Sequence, residues 1–494
     1  QSHTKHNTHV SQNKSYTQIV RSTFMFGGAQ VANIVIGIIR NKLIAILLGT
    51  VGMGLISIFQ STLDLIKSIT SIGIDTTGVR EVSLVAQDKK ELQITASIIQ
   101  RWCFVLGSIG ALLCILFSKE ISKWAFDAPT YSAEFAWLSI SVLFNTLAIG
   151  ELVILQGLRQ IGFMIKSGLL WSTTALIILT PLYYRYGLDA VVPVFIIVSV
   201  LTYLATRYYR LKTGVRFISV PCTQMWDRGK FILRIGFFIV LGAIQTQVAL
   251  FLVRVMVINK LGLEQLGLLQ AAWTISNVYL TLTLKSMSAD FYPRLSAVSF
   301  SNSKVRKLIN EQVHIILIVS LPVIIFLLVG SKLLLRLLYS DSFEVAYTLL
   351  NWRSIGIFFK VISWAISFVL LARGKGLLYF ITDTLYSVIY LGCIYFLFPY
   401  FKLDSVGIAY MIAYISYFLM VYFIIRKQFN FRWKSCNIWT GTFCLTCILV
   451  TFYLMQFGII DSLWIELLIL LAACAYTLIK LGTIINYNEL YRKI

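Results

Sequence analysis

Ten ionisable side chains stand in apolar stretches where a charge is costly. Six are cations, Arg40, Lys67, Arg254, Lys285, Arg353 and Lys360, and four are acids, Asp64, Glu151, Asp290 and Asp383. At bilayer depth such a charge costs several kcal/mol unless it faces protein or water, so each is a candidate for a working role. Arg353 and Lys360 are seven residues apart and share one helix face. Asp64 and Lys67, three apart, can pair across one turn, so a structural reading suits them as well as a functional one. Arg40, Arg254, Arg353 and Lys360 have no acid in helical reach, which predicts that they line a wet, positively charged cavity. The chemistry of such a cavity is anion binding. A guanidinium fork holds two phosphate oxygens at once, and low dielectric strengthens the attraction. Lys67 and Lys285 are further candidates for the same cavity, and Asp64 and Asp290 are candidates to carry a coupling proton or cation. Glu151, Arg159 and Lys166 lie near a cytoplasmic edge, where ion pairing or snorkelling explains them.

The element that must position the first of these groups is the stretch from Arg40 to Glu81. An apolar helix carries Arg40, a turn follows from Gly49 to Gly54, and a second helix carries Asp64 and Lys67. About 213 residues later the pattern returns from Arg254 to Arg294, with Gly262 and Gly267 answering to Gly49 and Gly54. Further on, LFSKEISKWAFDA near 116–128 resembles LVGSKLLLRLLYSD near 328–341, and Leu188-Asp189 answers to Leu403-Asp404. The chain therefore reads as two similar halves.

Hydrophobic residues make up 58% of the 494 residues, charged residues 13%, and the mean hydropathy is +0.80. Soluble domains carry about a quarter charged residues, so the fold class is an all-α polytopic membrane protein. At about 20 apolar residues per crossing, the sequence divides into about 14 transmembrane helices. These form two six-helix lobes at 15–212 and 230–428 around a central cavity, plus two extra C-terminal helices within 429–494. Residues 1–14 read as a disordered cytoplasmic tail, and 213–229 as a basic cytoplasmic linker. Both lobes start on the same side, so they run parallel, related by an axis along the membrane normal. Connections on the side of the termini hold roughly 26 Lys and Arg, against roughly seven on the other side, which places both termini in the cytoplasm.

The formal net charge of +22 follows from these short basic connections and suits anionic lipid headgroups; no nucleic acid is implied. Eight scattered cysteines imply no disulfide framework, and Cys444 and Cys447 read as small apolar residues of one helix. His3, His6 and His9 have metal-compatible spacing but lie in a solvated tail, so no metal site is expected. No phosphate-cradling glycine fingerprint and no nucleophile elbow is visible, so neither ATP-driven pumping nor a catalytic residue is expected. Trp273, Trp352 and Trp364 are candidates to stack on sugar rings.

The segments IIRNKLIAILLGTVGMGLISIFQS and SIGIDTTGVREVS resemble the opening of the O-antigen and polysaccharide flippases (Wzx type). These are part of the multidrug/oligosaccharidyl-lipid/polysaccharide exporter superfamily, and the resemblance covers roughly residues 15–430. It implies two lobes around a V-shaped cavity in a bacterial inner membrane. It also implies alternating access for an undecaprenyl-pyrophosphate-linked oligosaccharide, O-antigen or a similar repeat unit of lipopolysaccharide. Related lipid II flippases carry a cavity arginine nine residues before the turn glycine, and Arg40 matches, with Gly49 nine residues on. The acid that follows it there is Asn41 here. The resemblance implies no cofactor, a proton or Na+ as coupling ion, and a glycan polymerase and chain-length regulator as partners. Three other readings remain open: a cation-coupled multidrug exporter, which calls for an acid-lined cavity, a membrane glycosyltransferase or glycan polymerase, and a non-transporting assembly partner of the glycan machinery.

Overall fold

The computed structural model describes residues 31–458, 462 and 464–483, apart from 231, 234–239, 279–283, 285–290 and 293. The tail at 1–14 with His3, His6 and His9 lies outside the described residues, as do Lys285 and Asp290. The chain is an all-α polytopic membrane protein. Its helices are α1 (Val31–Ser71), α2 (Ile74–Leu84), α3 (Lys89–Leu116), α4 (Ser118–Phe126), α5 (Ser132–Gly157), α6 (Ile161–Tyr186), α7 (Val191–Leu211) and α8 (Cys222–Leu261). They continue as α9 (Leu263–Ala297), α10 (Asn302–Val329), α11 (Ser331–Leu338), α12 (Tyr347–Ala372), α13 (Gly376–Phe401), α14 (Asp404–Phe429), α15 (Ser435–Gln456) and α16 (Trp464–Thr483). Eleven stretches of the described residues are long and apolar enough to cross a membrane, where about fourteen were expected. Two of them hold two helices each: 31–71 is divided at Gly49, and 161–211 contains α6 and α7. The 35-residue α9 is not among the eleven.

The chain forms two compact units, Gln1–Asn259 and Lys260–Ile494. In the first, α5 packs against α3 and α7, and α1 against α6; in the second, α12 packs against α14, α10 and α9. Helices α15 and α16 pack on α10.

The repeat is written into the backbone. Helices α3 and α10 both have 28 residues, and α5, α6, α12 and α13 all have 26. Gly49 (φ 65°, ψ −162°) breaks α1, and Gly262 (φ 88°, ψ 176°) starts α9; only glycine occupies that region without strain. At the end of α5 the Gln160 amide donates to the Leu155 carbonyl at 2.9 Å, across Arg159 at φ 55°. The end of α12 repeats this closure, Lys375 to Leu370 at 2.8 Å across Gly374 at φ 70°.

One pair of counterparts differs in an instructive way. Gly187 closes α6 at φ 56°, ψ −129°, and Lys402 closes α13 at φ 45°, ψ −123°. A side chain in that conformation is strained by about 1–3 kcal/mol, whereas glycine loses only about 0.5–1 kcal/mol of chain entropy. Lys402→Gly should therefore raise the thermal midpoint of the purified protein, by about 1 kcal/mol of stability, and Gly187→Lys should lower it. Opposite shifts from the two variants, followed by intrinsic fluorescence on heating, are the expected outcome.

Residues 213–229, expected as a linker, are fastened to the first unit. The Ile218 amide donates to Ser97 Oγ at 2.8 Å, Arg101 donates to the Val220 carbonyl, and Trp102 Nε1 donates to the Met225 carbonyl at 3.2 Å. The counterpart of Ser97 on α10 is Asn310. It accepts from the Lys434 amide at 2.8 Å and donates to the Arg432 carbonyl at 3.2 Å, and so clasps the connection from α14 to α15. A short polar side chain at the same helix position satisfies backbone groups of the irregular connection in both units.

The units diverge where α5 meets α7. Glu151 and Arg210 form a two-point ion pair, 2.6 and 3.2 Å, with both side chains enclosed. Arg210 also donates to the Val215 carbonyl at 2.9 Å and lies 3.9 Å from the Phe217 ring centroid. The counterparts on α12 and α14 are Ile366 and Ile425, both fully buried. The same helix packing is thus built once around an ion pair and once around two isoleucines.

Candidate functional site

In the first unit, α1 and α8 bring three predicted residues together. Arg254 on α8 donates through Nε to Ser57 Oγ at 2.9 Å and through Nη1 to the Leu250 carbonyl at 3.1 Å. Asp64, about two turns along α1 from Ser57, accepts from Gln60 Nε2 at 3.0 Å. It interacts electrostatically with both Lys67 and Arg254. Spacing along α8 left Arg254 without an acid, but packing against α1 supplies one. Lys67 itself is exposed. Arg40, on the first half of α1, is half-buried and faces Tyr183 of α6 electrostatically rather than joining this group.

The second unit holds a different arrangement, centred on Arg353 of α12. Its exposure is 0%. Nε donates to Ser276 Oγ of α9 at 3.1 Å, while Nη1 and Nη2 have no hydrogen-bond partner among the described residues. Two rings pack on the guanidinium: Trp273 of α9, with its centroid 4.2 Å from Cζ, and Tyr410 of α14, at 4.3 Å. Cation–π attraction of this kind recovers part of the lost hydration without supplying a counter-charge. Lys360, on the same face of α12, lies 5.8 Å from the Tyr410 ring and 5.3 Å from the Tyr414 ring. It has an acid in electrostatic reach, Asp383 of α13. Of the predicted cations described here, Arg353 is the one most completely enclosed.

The aromatic surroundings were only partly foreseen. Trp273, a candidate for sugar stacking, packs on Arg353. Trp352 packs on Phe452 with centroids 4.6 Å apart, and Trp364 on Phe368 at 4.7 Å. The tyrosine cluster was missed altogether: Tyr386 lies 4.5 Å from Tyr414, and Tyr410 lies 4.7 Å from Tyr414. Its signal in the sequence is the helical spacing of 386 with 390 and of 410, 414 and 417, which places the rings on facing stripes of α13 and α14.

Arg353 departs from the repeat in the same sense as the ion pair of α5 and α7. Its counterpart on α5 is Leu138, fully buried and apolar. The first unit shows that this helix position is satisfied by a leucine. A buried guanidinium with two nitrogens unpartnered among the described residues costs several kcal/mol more than an apolar side chain, so packing alone gives no reason for it.

Comparison with known proteins places these residues in context. The family model described as "Polysaccharide biosynthesis protein" matches residues 43–348. A protein named "Putative O-antigen transporter" from Shigella flexneri is 22% identical over 369 residues, 73% of this chain and 86% of that protein. The lipid III flippase of Escherichia coli (strain K12) is 20% identical over 395 residues, 77% of this chain and 92% of that protein. Among solved structures, the lipid II flippase MurJ in its inward closed conformation superposes with a TM-score of 0.70 at 17% identity, over 95% of this chain and 100% of that one. An inward-facing multidrug resistance MATE family transporter of the MOP superfamily gives 0.66 at 17% identity, over 80% and 95%. These two superpositions show a shared fold.

Proposed function

This chain belongs to the polysaccharide biosynthesis protein family, and from that premise we propose that it carries an undecaprenyl-pyrophosphate-linked oligosaccharide from the inner to the outer leaflet of a bacterial inner membrane. The family and the relatives support a lipid flippase of the MOP superfamily, a multi-pass transporter and not an enzyme. A lipid-linked glycan is the substrate class its relatives share. Transport proceeds by alternating access, with both termini in the cytoplasm. The diphosphate is bound by Arg353, Arg40, Arg254 and Lys360, with Lys67 and Lys285 assisting. Asp64 or Asp290 carries the coupling proton or Na+.

The observation that carries this reading is Arg353: a fully enclosed guanidinium with two donors unpartnered among the described residues, standing where the repeat has a leucine. A cation offering two donors that have no partner among the described residues is complementary to an oxyanion. A multidrug exporter for cationic compounds would call for the opposite polarity. In a strain deleted for this gene, wild type should restore surface glycan. Arg353→Ala and Arg40→Ala should not, and should leave lipid-linked precursor on the cytoplasmic leaflet. Normal surface glycan from both variants at normal protein level would remove the reading, and drug sensitivity of the deletion strain without a glycan defect would favour the exporter.

A further inference from the structure

We propose that Trp273 and Tyr410 are positioning residues for Arg353, holding its guanidinium by the π faces of their rings so that its two terminal nitrogens are presented together to the oxygens of a phosphate ester or diphosphate. The inference rests on the reading of Arg353 as a diphosphate-binding residue and adds to it the device that makes the residue selective.

A buried arginine is normally held by a carboxylate, which occupies its N–H edge and cancels its charge. Here no carboxylate contacts Arg353 among the described residues. Its support comes from two neighbouring helices by other means. Ser276 of α9 takes Nε at 3.1 Å, Trp273 lies 4.2 Å from Cζ one turn earlier on the same helix, and Tyr410 of α14 lies 4.3 Å away. Rings attract the cation through its flat face, not through its hydrogens. Nε is committed to Ser276, and Nη1 and Nη2 are left together as the edge that no group holds among the described residues. Each of these nitrogens is buried and without a hydrogen-bond partner among the described residues. The Tyr410 hydroxyl, on one of the two supporting rings, is likewise buried and without one. Every unsatisfied group of this box can donate.

The repeat isolates the box as an addition to the fold. The counterparts of Arg353, Tyr410 and Trp273 in the first unit are Leu138, Phe195 and Gln60. At these three positions the first unit carries no cation, phenol or indole. The consequence for selectivity is geometric. A planar fork clamped by rings suits an anion with two oxygens on one face, such as a phosphoryl group, whereas a lysine ammonium at the same place would offer a point charge and no orientation. An arginine without the rings would still be charged but free to rotate, and would lose part of the two-point contact.

The test uses the full chain purified into phosphatidylcholine nanodiscs, with undecaprenyl pyrophosphate as the probe and thermal midpoints recorded for every variant. Trp273→Leu and Tyr410→Leu should each weaken binding about 10-fold. Trp273→Phe and Tyr410→Phe, which keep a ring face, should stay within about 3-fold of wild type. Arg353→Lys should lose as much as the leucine variants despite keeping its charge. If both leucine variants bind like wild type while Arg353→Ala does not, the rings are packing only and the proposal fails, with the diphosphate reading intact. If Arg353→Ala itself binds like wild type, the diphosphate reading fails and this inference with it. Should the leucine variants not fold, Arg353→Lys decides: wild-type affinity in that variant overturns the proposal.

Discussion

Arg210→Leu should leave little folded protein in the membrane, and Glu151→Ile added to Arg210→Ile should bring it back. The single change strands the Glu151 carboxylate at 0% exposure with its charge uncompensated. It also removes the contacts of Arg210 with the Val215 carbonyl and the Phe217 ring. Breaking a buried pair from one side costs about 3–5 kcal/mol, a large part of the stability of an ordinary domain. Replacing both partners by packed apolar residues is often neutral or stabilising by about 1–4 kcal/mol. The second unit already contains that solution in Ile366 and Ile425, both fully buried where the first unit has the ion pair. The double variant therefore copies a packing this chain uses elsewhere. Membrane yield and thermal midpoint are the measurements. A double variant no more stable than Arg210→Leu would show that the charged pair is required by its surroundings in α5 and α7 and not merely tolerated.

Arg353→Leu should fold at least as stably as wild type and fail to transport. Leucine is what the repeat places at the matching position, as Leu138, and it removes a buried cation with two nitrogens that lack partners among the described residues. It also forfeits two ring contacts worth about 1–2 kcal/mol each when desolvated, so the midpoint should stay level or rise modestly. Losing one partner of a buried charge contact to the substrate costs about 3 kcal/mol or more, roughly 100-fold in the rate of flipping. Reconstituted vesicles loaded with lipid-linked oligosaccharide would read the rate, and heating in detergent would read the stability. A variant that is more stable and still transports would show that Arg353 is neither needed for the fold nor used on the substrate.

The two halves of the chain make plain where sequence reasoning reached. Composition and hydropathy alone dictated an all-α membrane protein, because a chain with 13% charged residues cannot clothe a water-facing surface of this size. The glycines at 49 and 262 announced the same break in both halves, because the backbone there takes a conformation that side chains exclude. The internal match near Asp189 and Asp404 announced two similar halves, and α6 and α13, which end just before these residues, both have 26 residues. Arg40, Arg254, Arg353 and Lys360 were visible as charges out of place, since hydropathy is a property of the local sequence.

What those charges touch was decided by tertiary structure. Helical spacing reports neighbours three and four residues away, so it left Arg254 and Lys360 without acids. Packing of α8 on α1 brought Asp64 to Arg254, and α13 beside α12 brought Asp383 to Lys360. Glu151 found Arg210 across 59 residues, and Arg353 found Trp273 and Tyr410 on helices α9 and α14. Whether a buried charge is neutralised, caged by rings or left with donors to offer depends on which faces meet. That choice belongs to contacts between distant helices, on which the period of any single helix is silent.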